Sequence, residues 1–223
     1  MRRRALPAPT LCAFAPFATV SAAHVILLAV ESPVATITKL FLMPLLALPL
    51  AVSHRRSAPP AAVVLLLVAL LFSWLGDSAG TVLPGAFELP VMLLFFGMAH
   101  LAYILLFSRH LARRRMPWWA LIYAAWWVAM LAVVGPHAGG LLLGVAIYGL
   151  VLGGTAAFSA RCSPLVAAGG ALFLTSDSIL ALRLFLPDGL PAWSDPAVML
   201  TYTLGQGLIV AGALAELQQR STR

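Results

Sequence analysis

Apolar residues run along this chain in stretches of about twenty, separated by short polar connections, and about 20 such residues carry a helix across the hydrocarbon core of a bilayer. Eight stretches qualify. They run from about Thr10 to Val30, Val34 to Val52, Ala61 to Ala79, Leu89 to Phe107, Pro117 to Val134, Gly139 to Phe158, Pro164 to Leu186 and Pro196 to Leu217. The breaks carry turn chemistry, as in Glu31-Ser32-Pro33, Ser57-Ala58-Pro59-Pro60, Gly135-Pro136-His137 and Pro187-Asp188-Gly189. Pro117, Pro164 and Pro196 fall at helix starts, where a missing N–H costs little. The pattern predicts an all-α fold: a polytopic membrane helix bundle of eight transmembrane helices, with residues 1–223 forming a single transmembrane domain.

Composition agrees. Hydrophobic residues make up 62% of the 223 and charged residues 9%, whereas soluble domains are about half apolar and a quarter charged. Such a chain cannot cover a water-facing surface, so the bilayer must be its solvent. The net charge of +7 does not mark a nucleic-acid binder, because the basic residues lie in connections rather than on a polar domain. Arg2, Arg3, Arg4, Arg55, Arg56, Arg109, Arg113, Arg114, Arg115, Arg161, Arg220 and Arg223 all fall on one side of eight crossings, while Glu31, Glu88, Asp188 and Asp195 fall on the other. By the positive-inside rule both termini are expected in the cytoplasm. Arg2-Arg3-Arg4, the apolar run after them and Ser21-Ala22-Ala23 resemble a signal peptide. The run is long for one and continues unbroken from His24 to Val30, so it is expected to stay as the first span. Cys12 and Cys162 lie in or beside apolar segments near the expected cytoplasmic side and are read as small hydrophobes, not as a disulfide.

Polar residues inside spans are costly and usually face the bundle interior. Here they are Lys39, Asp77, His100, Tyr103, Tyr148, Asp177, Arg183, Tyr202 and Gln206. Ser73 with Asp77, and Tyr202 with Gln206, are four apart and share a helix face; Thr36 with Lys39, and His100 with Tyr103, align at three. Depth along alternating spans lets these groups share one polar cavity in the outer half of the bundle. Arg183, six residues from Asp177, lies off that face and is expected to snorkel to the outer head groups. Each tyrosine, histidine or glutamine also has a packing or helix-tying reading. The aspartates resist one, since each costs on the order of 3 kcal/mol near the bilayer centre. A short repeat links Leu71-Phe72-Ser73-Trp74-Leu75-Gly76-Asp77 with Leu172-Phe173-Leu174-Thr175-Ser176-Asp177, and Pro90 and His100 are spaced like Pro196 and Gln206. It suggests two four-helix halves in parallel, with a site at their interface.

The same segments carry a family pattern: Lys39 with Met43-Pro44, Trp74-Leu75-Gly76-Asp77, Gly97-Met98-Ala99-His100-Leu101-Ala102-Tyr103, Tyr148, Gly170 through Ser178, and Thr201-Tyr202-Thr203-Leu204-Gly205-Gln206. On these residues, from about Lys39 to Ala215, the chain resembles the YhhN family, bacterial relatives of the lysoplasmalogenases that include the TMEM86 proteins. The resemblance implies a protein of the bacterial inner membrane. It also implies hydrolysis of the vinyl ether of a lysophospholipid to a fatty aldehyde and a glycerophospho head group, with Asp77 and Asp177 as the catalytic residues. The substrates would be a lysophospholipid and water, and no cofactor is implied. A bacterial member's true lipid can differ, since many bacteria lack plasmalogens.

The chemistry fits two carboxyl groups. Protonation of the vinyl carbon leaves an oxocarbenium ion, water adds, and the hemiacetal collapses. One neutral acid must give the proton, and one carboxylate must stabilise the cation and activate water. Which aspartate takes which role is open from sequence. Ser73, His100, Tyr103, Tyr148, Ser176, Tyr202 and Gln206 are the supporting residues, and Lys39 would hold the lipid phosphate or the charge of one aspartate. No ligand-spacing motif supports a metal, and there is no G-x-S-x-G elbow, P-loop or Rossmann fingerprint. Gly139, Gly140, Gly144, Gly149, Gly153 and Gly154 read as close helix packing. From physics alone a small-molecule or lipid transporter or flippase, or a partner-binding membrane protein, would show the same polar cavity; no oligomeric state follows. A reporter fused after Arg223 is expected to be active in the cytoplasm, and activity only on the outer face would reverse the assigned orientation.

Overall fold

The structure is a computed structural model that describes residues 6–53, 59–82, 85, 87–186 and 189–221, and among them all regular structure is helical. Arg2, Arg3, Arg4, Arg55, Arg56, Arg223 and the expected turns at Ser57-Ala58 and Pro187-Asp188 lie outside the described residues. Among the described residues, eight helices are long and apolar enough to cross a membrane: α1 (Ala8–Ala29), α2 (Val34–Ser53), α3 (Pro60–Val82), α4 (Glu88–Leu111), α5 (Trp118–His137), α6 (Gly139–Ser159), α7 (Pro164–Phe185) and α8 (Ser194–Gln219). The chain is a multi-pass membrane protein. Its helices match the hydropathy limits to within a few residues, and α3 and α4 run past them. Thus α3 reaches Val82, and α4 continues to Leu111 through a widened last turn over Phe107–Leu111. A break at Ala13 and Phe14 interrupts α1 just before Pro16, whose missing N–H cannot continue the ladder.

Helices α1, α2, α3, α4, α6, α7 and α8 pack in sequence around the bundle, and α8 closes it against α1 and α2. Helix α5 lies outside, against α6 and α7. The last helix is the most buried of the eight and α5 the least. In each half of the chain the third and fourth helices make the most extensive contact, α3 with α4 and α7 with α8. Both contacts depend on glycine. A Cβ on Gly169 would meet the Gly205 carbonyl at 2.7 Å and the Ile209 amide nitrogen at 2.8 Å, and one on Gly76 would meet the Phe96 ring at 2.6 Å. Without a hydrophobic drive between helices in lipid, such close approach supplies the packing energy.

Helix α2 contains Pro44 and Pro49. Pro44 has no N–H, so the Leu40 carbonyl one turn earlier loses its helical donor. The Trp74 indole on α3 donates to that carbonyl at 2.9 Å. This repair explains why the Met43-Pro44 and Trp74-Leu75-Gly76-Asp77 segments belong together, and it locks α2 to α3 beside Lys39 and Asp77.

At the arginine-bearing end, Glu216 of α8 is 1% exposed. It accepts from the Ser163 amide at 2.6 Å and pairs with Arg113 at 3.0 Å. Arg113 also donates through its backbone amide to the Arg161 carbonyl at 2.9 Å. The loops after α4 and α6 are thereby tied to α8. At the opposite end Arg183 pairs with Asp195, so the expectation that it snorkels to head groups gives way to an intramolecular ion pair. Cys12 is exposed and Cys162 buried, and no disulfide joins them.

An unpaired buried carbonyl costs about 1–3 kcal/mol. Trp74→Phe is therefore expected to lower stability by that amount in a thermal unfolding assay in detergent. Pro44→Ala restores an N–H at position 44, so Pro44→Ala with Trp74→Phe should recover most of the loss. No recovery would refute the repair.

Candidate active site

Six of the ten residues expected to form a site line one cavity of about 330 Å³: Lys39, Asp77, Tyr148, Ser176, Asp177 and Tyr202. They come from α2, α3, α6, α7 and α8, and α4 supplies Phe96 and Met92. The cavity extends to Gly85, Glu88 and Asp195 at the end opposite the arginines, and Leu89, Leu93, Leu180, Leu184 and Phe185 make its walls apolar.

Asp77 is held by two partners. Lys39 Nζ lies 3.7 Å from Oδ1, and the Tyr202 hydroxyl donates to Oδ2 at 2.8 Å. The carboxylate is 3% exposed, whereas Lys39 remains 34% exposed. Isolated buried charge is unfavourable by several kcal/mol, and pairing with added hydrogen bonds offsets that. The four-residue spacing from Ser73 to Asp77 and from Tyr202 to Gln206 puts a second polar layer one turn deeper. There Tyr103 donates to Gln206 Oε1 at 2.5 Å, and Gln206 Nε2 donates to Ser73 Oγ at 3.1 Å. Ser73, Tyr103 and Gln206 do not line the cavity; they hold α3, α4 and α8 in register beneath it.

Asp177 has a different setting. Its Oδ2 is hydrogen-bonded to the Tyr148 hydroxyl. Behind that hydroxyl stands His100, with Nε2 at 3.4 Å from the tyrosine oxygen and 3.8 Å from Asp177 Oδ2. His100 is fully buried and absent from the cavity wall. Ser176 donates to the Val198 carbonyl at 2.9 Å, so its hydroxyl ties α7 to α8 while the residue lines the cavity.

Two residues in this assembly escape a reading of polar exceptions. Phe173 is fully buried, with its ring 4.7 Å from His100, 5.3 Å from Tyr202, 6.4 Å from Phe96 and 6.5 Å from Tyr103. It is the common packing surface for both carboxylate clusters, and being apolar it entered the sequence reading only as part of the repeat and family segments, not as a site residue. Thr155 lies 3.1 Å from His100 Nδ1. It follows Gly153-Gly154, where small residues suggested packing alone.

Fold and site together define a multi-pass helical membrane protein with a carboxylate-lined intramembrane cavity. The model of the YhhN family matches residues 34–213, and the chain belongs to that family. The matched region includes every residue of the cavity and leaves out α1. No curated protein matches the chain, and no solved structure does.

Removing Lys39 leaves Asp77 buried without its cation. Lys39→Met is expected to destabilise the protein by about 1–3 kcal/mol, between the limits for exposed and buried pairs. Lys39→Met with Asp77→Asn should be more stable than Lys39→Met alone in the same unfolding measurement. Additive losses would mean the two residues are not coupled.

Proposed function

We infer that the protein hydrolyses the vinyl ether bond of a lysoplasmalogen-type lysophospholipid, releasing a fatty aldehyde and a glycerophospho head group. The observation that carries this reading is that Asp77 and Asp177 line one apolar-walled cavity with different hydrogen-bond partners. Acid–base hydrolysis of an enol ether needs one carboxyl group that gives a proton and one that stays ionised. Unlike surroundings are how two carboxyl groups come to divide those roles. Membership of the YhhN family supports the same direction.

The cavity suits the reacting end of a lipid. Its apolar walls would take the first carbons of the alkenyl chain, and its size is within the range of small-molecule sites. Lys39 is exposed enough to meet a phosphate while it pairs with Asp77. An oxocarbenium ion formed between two aspartates would be stabilised by the ionised one, strongly so where water is excluded. In this reading the protein lies in the bacterial inner membrane with both termini in the cytoplasm, and the cavity opens toward the outer leaflet.

The test is aldehyde release from lysoplasmenylethanolamine by the purified protein. Asp77→Asn and Asp177→Asn should each lower kcat by at least about 10²-fold, the lower range for general acid–base catalysis. Full activity in both variants would overturn the mechanism. Lipid flux in liposomes without any product would favour transport instead.

A further inference from the structure

The end of the bundle that carries the arginines is short of acid. Along the sequence four of the seven acidic side chains fall in the connections of the opposite end, and Asp77 and Asp177 fall within spans. Glu216 is left for Arg109, Arg113, Arg114, Arg115 and Arg161, and it pairs with Arg113 at 3.0 Å. Among the described residues no ion pair takes any of the other four arginines.

Two of those four are fixed by backbone instead. Arg114 Nε donates to the Ala160 carbonyl at 2.9 Å, and Arg161 Nε donates to the Arg114 carbonyl at 3.2 Å. The Arg113 amide donates to the Arg161 carbonyl at 2.9 Å. Residues 113–114 and 160–161 are thus laced together, and two guanidinium groups are brought to one seam between the connections after α4 and α6. Each is held through Nε, which leaves its Nη donors for a ligand. Arg161 also lies over the Phe158 ring, 5.7 Å from the centroid, a cation–π contact that fixes it further. Arginines held in this way have already lost the rotamer freedom that binding would otherwise cost.

The depth of the seam points to lipid. Pro117 closes the connection, and Trp118 and Trp119 at the start of α5 are 84% and 40% exposed. Exposed tryptophan at the end of a span marks the level of the head groups, and Arg114 lies four residues before Trp118. A phosphodiester at that level offers two oxygens that match the guanidinium fork. An excess of unpaired cations favours a head group with net negative charge over one whose phosphate is already balanced by an amine, and basic pockets between the ends of spans hold such lipids.

We propose that Arg114 and Arg161 clamp the phosphate of an anionic phospholipid in the leaflet at the arginine-bearing end, with exposed Arg115 adding charge. This site is separate from the carboxylate cavity and does not rest on the hydrolase reading. The bound lipid braces the connections after α4 and α6, which Arg113 and Glu216 already tie to α8, so occupancy stabilises the folded bundle.

The test uses the full chain in a neutral detergent with three probes: dioleoylphosphatidylglycerol, dioleoylphosphatidylcholine and soluble glycerophosphoglycerol. Native mass spectrometry reads bound lipid, and thermal unfolding reads Tm. Phosphatidylglycerol should stay bound and raise Tm by about 3–6 °C at ten times its Kd, whereas the other two probes should do neither. Arg114→Gln and Arg161→Gln should each weaken phosphatidylglycerol binding about fivefold. Arg114→Lys keeps the charge but not the fork, and should also bind more weakly than wild type. Each lipid-dependent rise is read against the variant's own lipid-free Tm, so the loss of the bond to Ala160 does not count as loss of the site. Arg115→Gln breaks no described contact and should weaken binding without lowering the lipid-free Tm. Equal binding of phosphatidylcholine would overturn the anionic preference, and an equal effect of glycerophosphoglycerol would overturn the lipid as ligand. Wild-type affinity in Arg114→Lys, or in both glutamine variants of Arg114 and Arg161, would overturn the clamp.

Discussion

A carboxylate inside a bilayer-spanning bundle must find a cation or several donors, and Asp77 meets that demand by drawing three helices together. Lys39 on α2 and Tyr202 on α8 both reach the carboxyl group on α3. One turn deeper, Gln206 and Ser73 repeat the α3–α8 link, and Tyr103 adds α4. Each helix brings its polar group at helical spacing from an apolar face, so pairing and packing select the same arrangement. The Trp74 indole on the Leu40 carbonyl works to the same end, because it closes the gap that Pro44 opens beside Lys39.

The second carboxyl group is supported from the other side of the bundle. Asp177 reaches Tyr148 on α6, and through it His100 on α4 and Thr155 on α6. Phe173 packs against His100 and Tyr202 together, so an apolar ring on α7 separates and aligns the two networks. The result is an asymmetric pair: Asp77 beside the Lys39 ammonium group, and Asp177 against the Tyr148 hydroxyl with His100 behind it. That asymmetry is what the proposed acid–base hydrolysis of an enol ether would use.

Much of this was legible in the sequence for a simple reason. In a chain that is 62% hydrophobic, an ionisable residue within a span is an exception with an energetic cost, so most of the exceptions point to the cavity or to the layer behind it. Lys39, Asp77, Tyr148, Asp177 and Tyr202 stood out on that ground and meet in one place. The eight spans followed from length and hydropathy alone. What the pattern could not give was the partner of each group. Arg183 looked free to reach the head groups, but Asp195, close in space and twelve residues along, captures it. Phe173 has no polar signal, and Thr155 is one of several small residues on a glycine-rich helix. Ser73, His100, Tyr103 and Gln206 were expected around the cavity, yet they form the layer behind it. Their helical spacing gave the shared face but not the depth.

The central claim is that a carboxyl group in the cavity protonates the vinyl carbon of the substrate, and the solvent isotope effect on the chemical step reads that transfer directly. Single-turnover cleavage of lysoplasmenylethanolamine should be several-fold slower in D2O than in H2O, because proton transfer to carbon forms the oxocarbenium ion. Equal single-turnover rates in the two solvents would contradict the account.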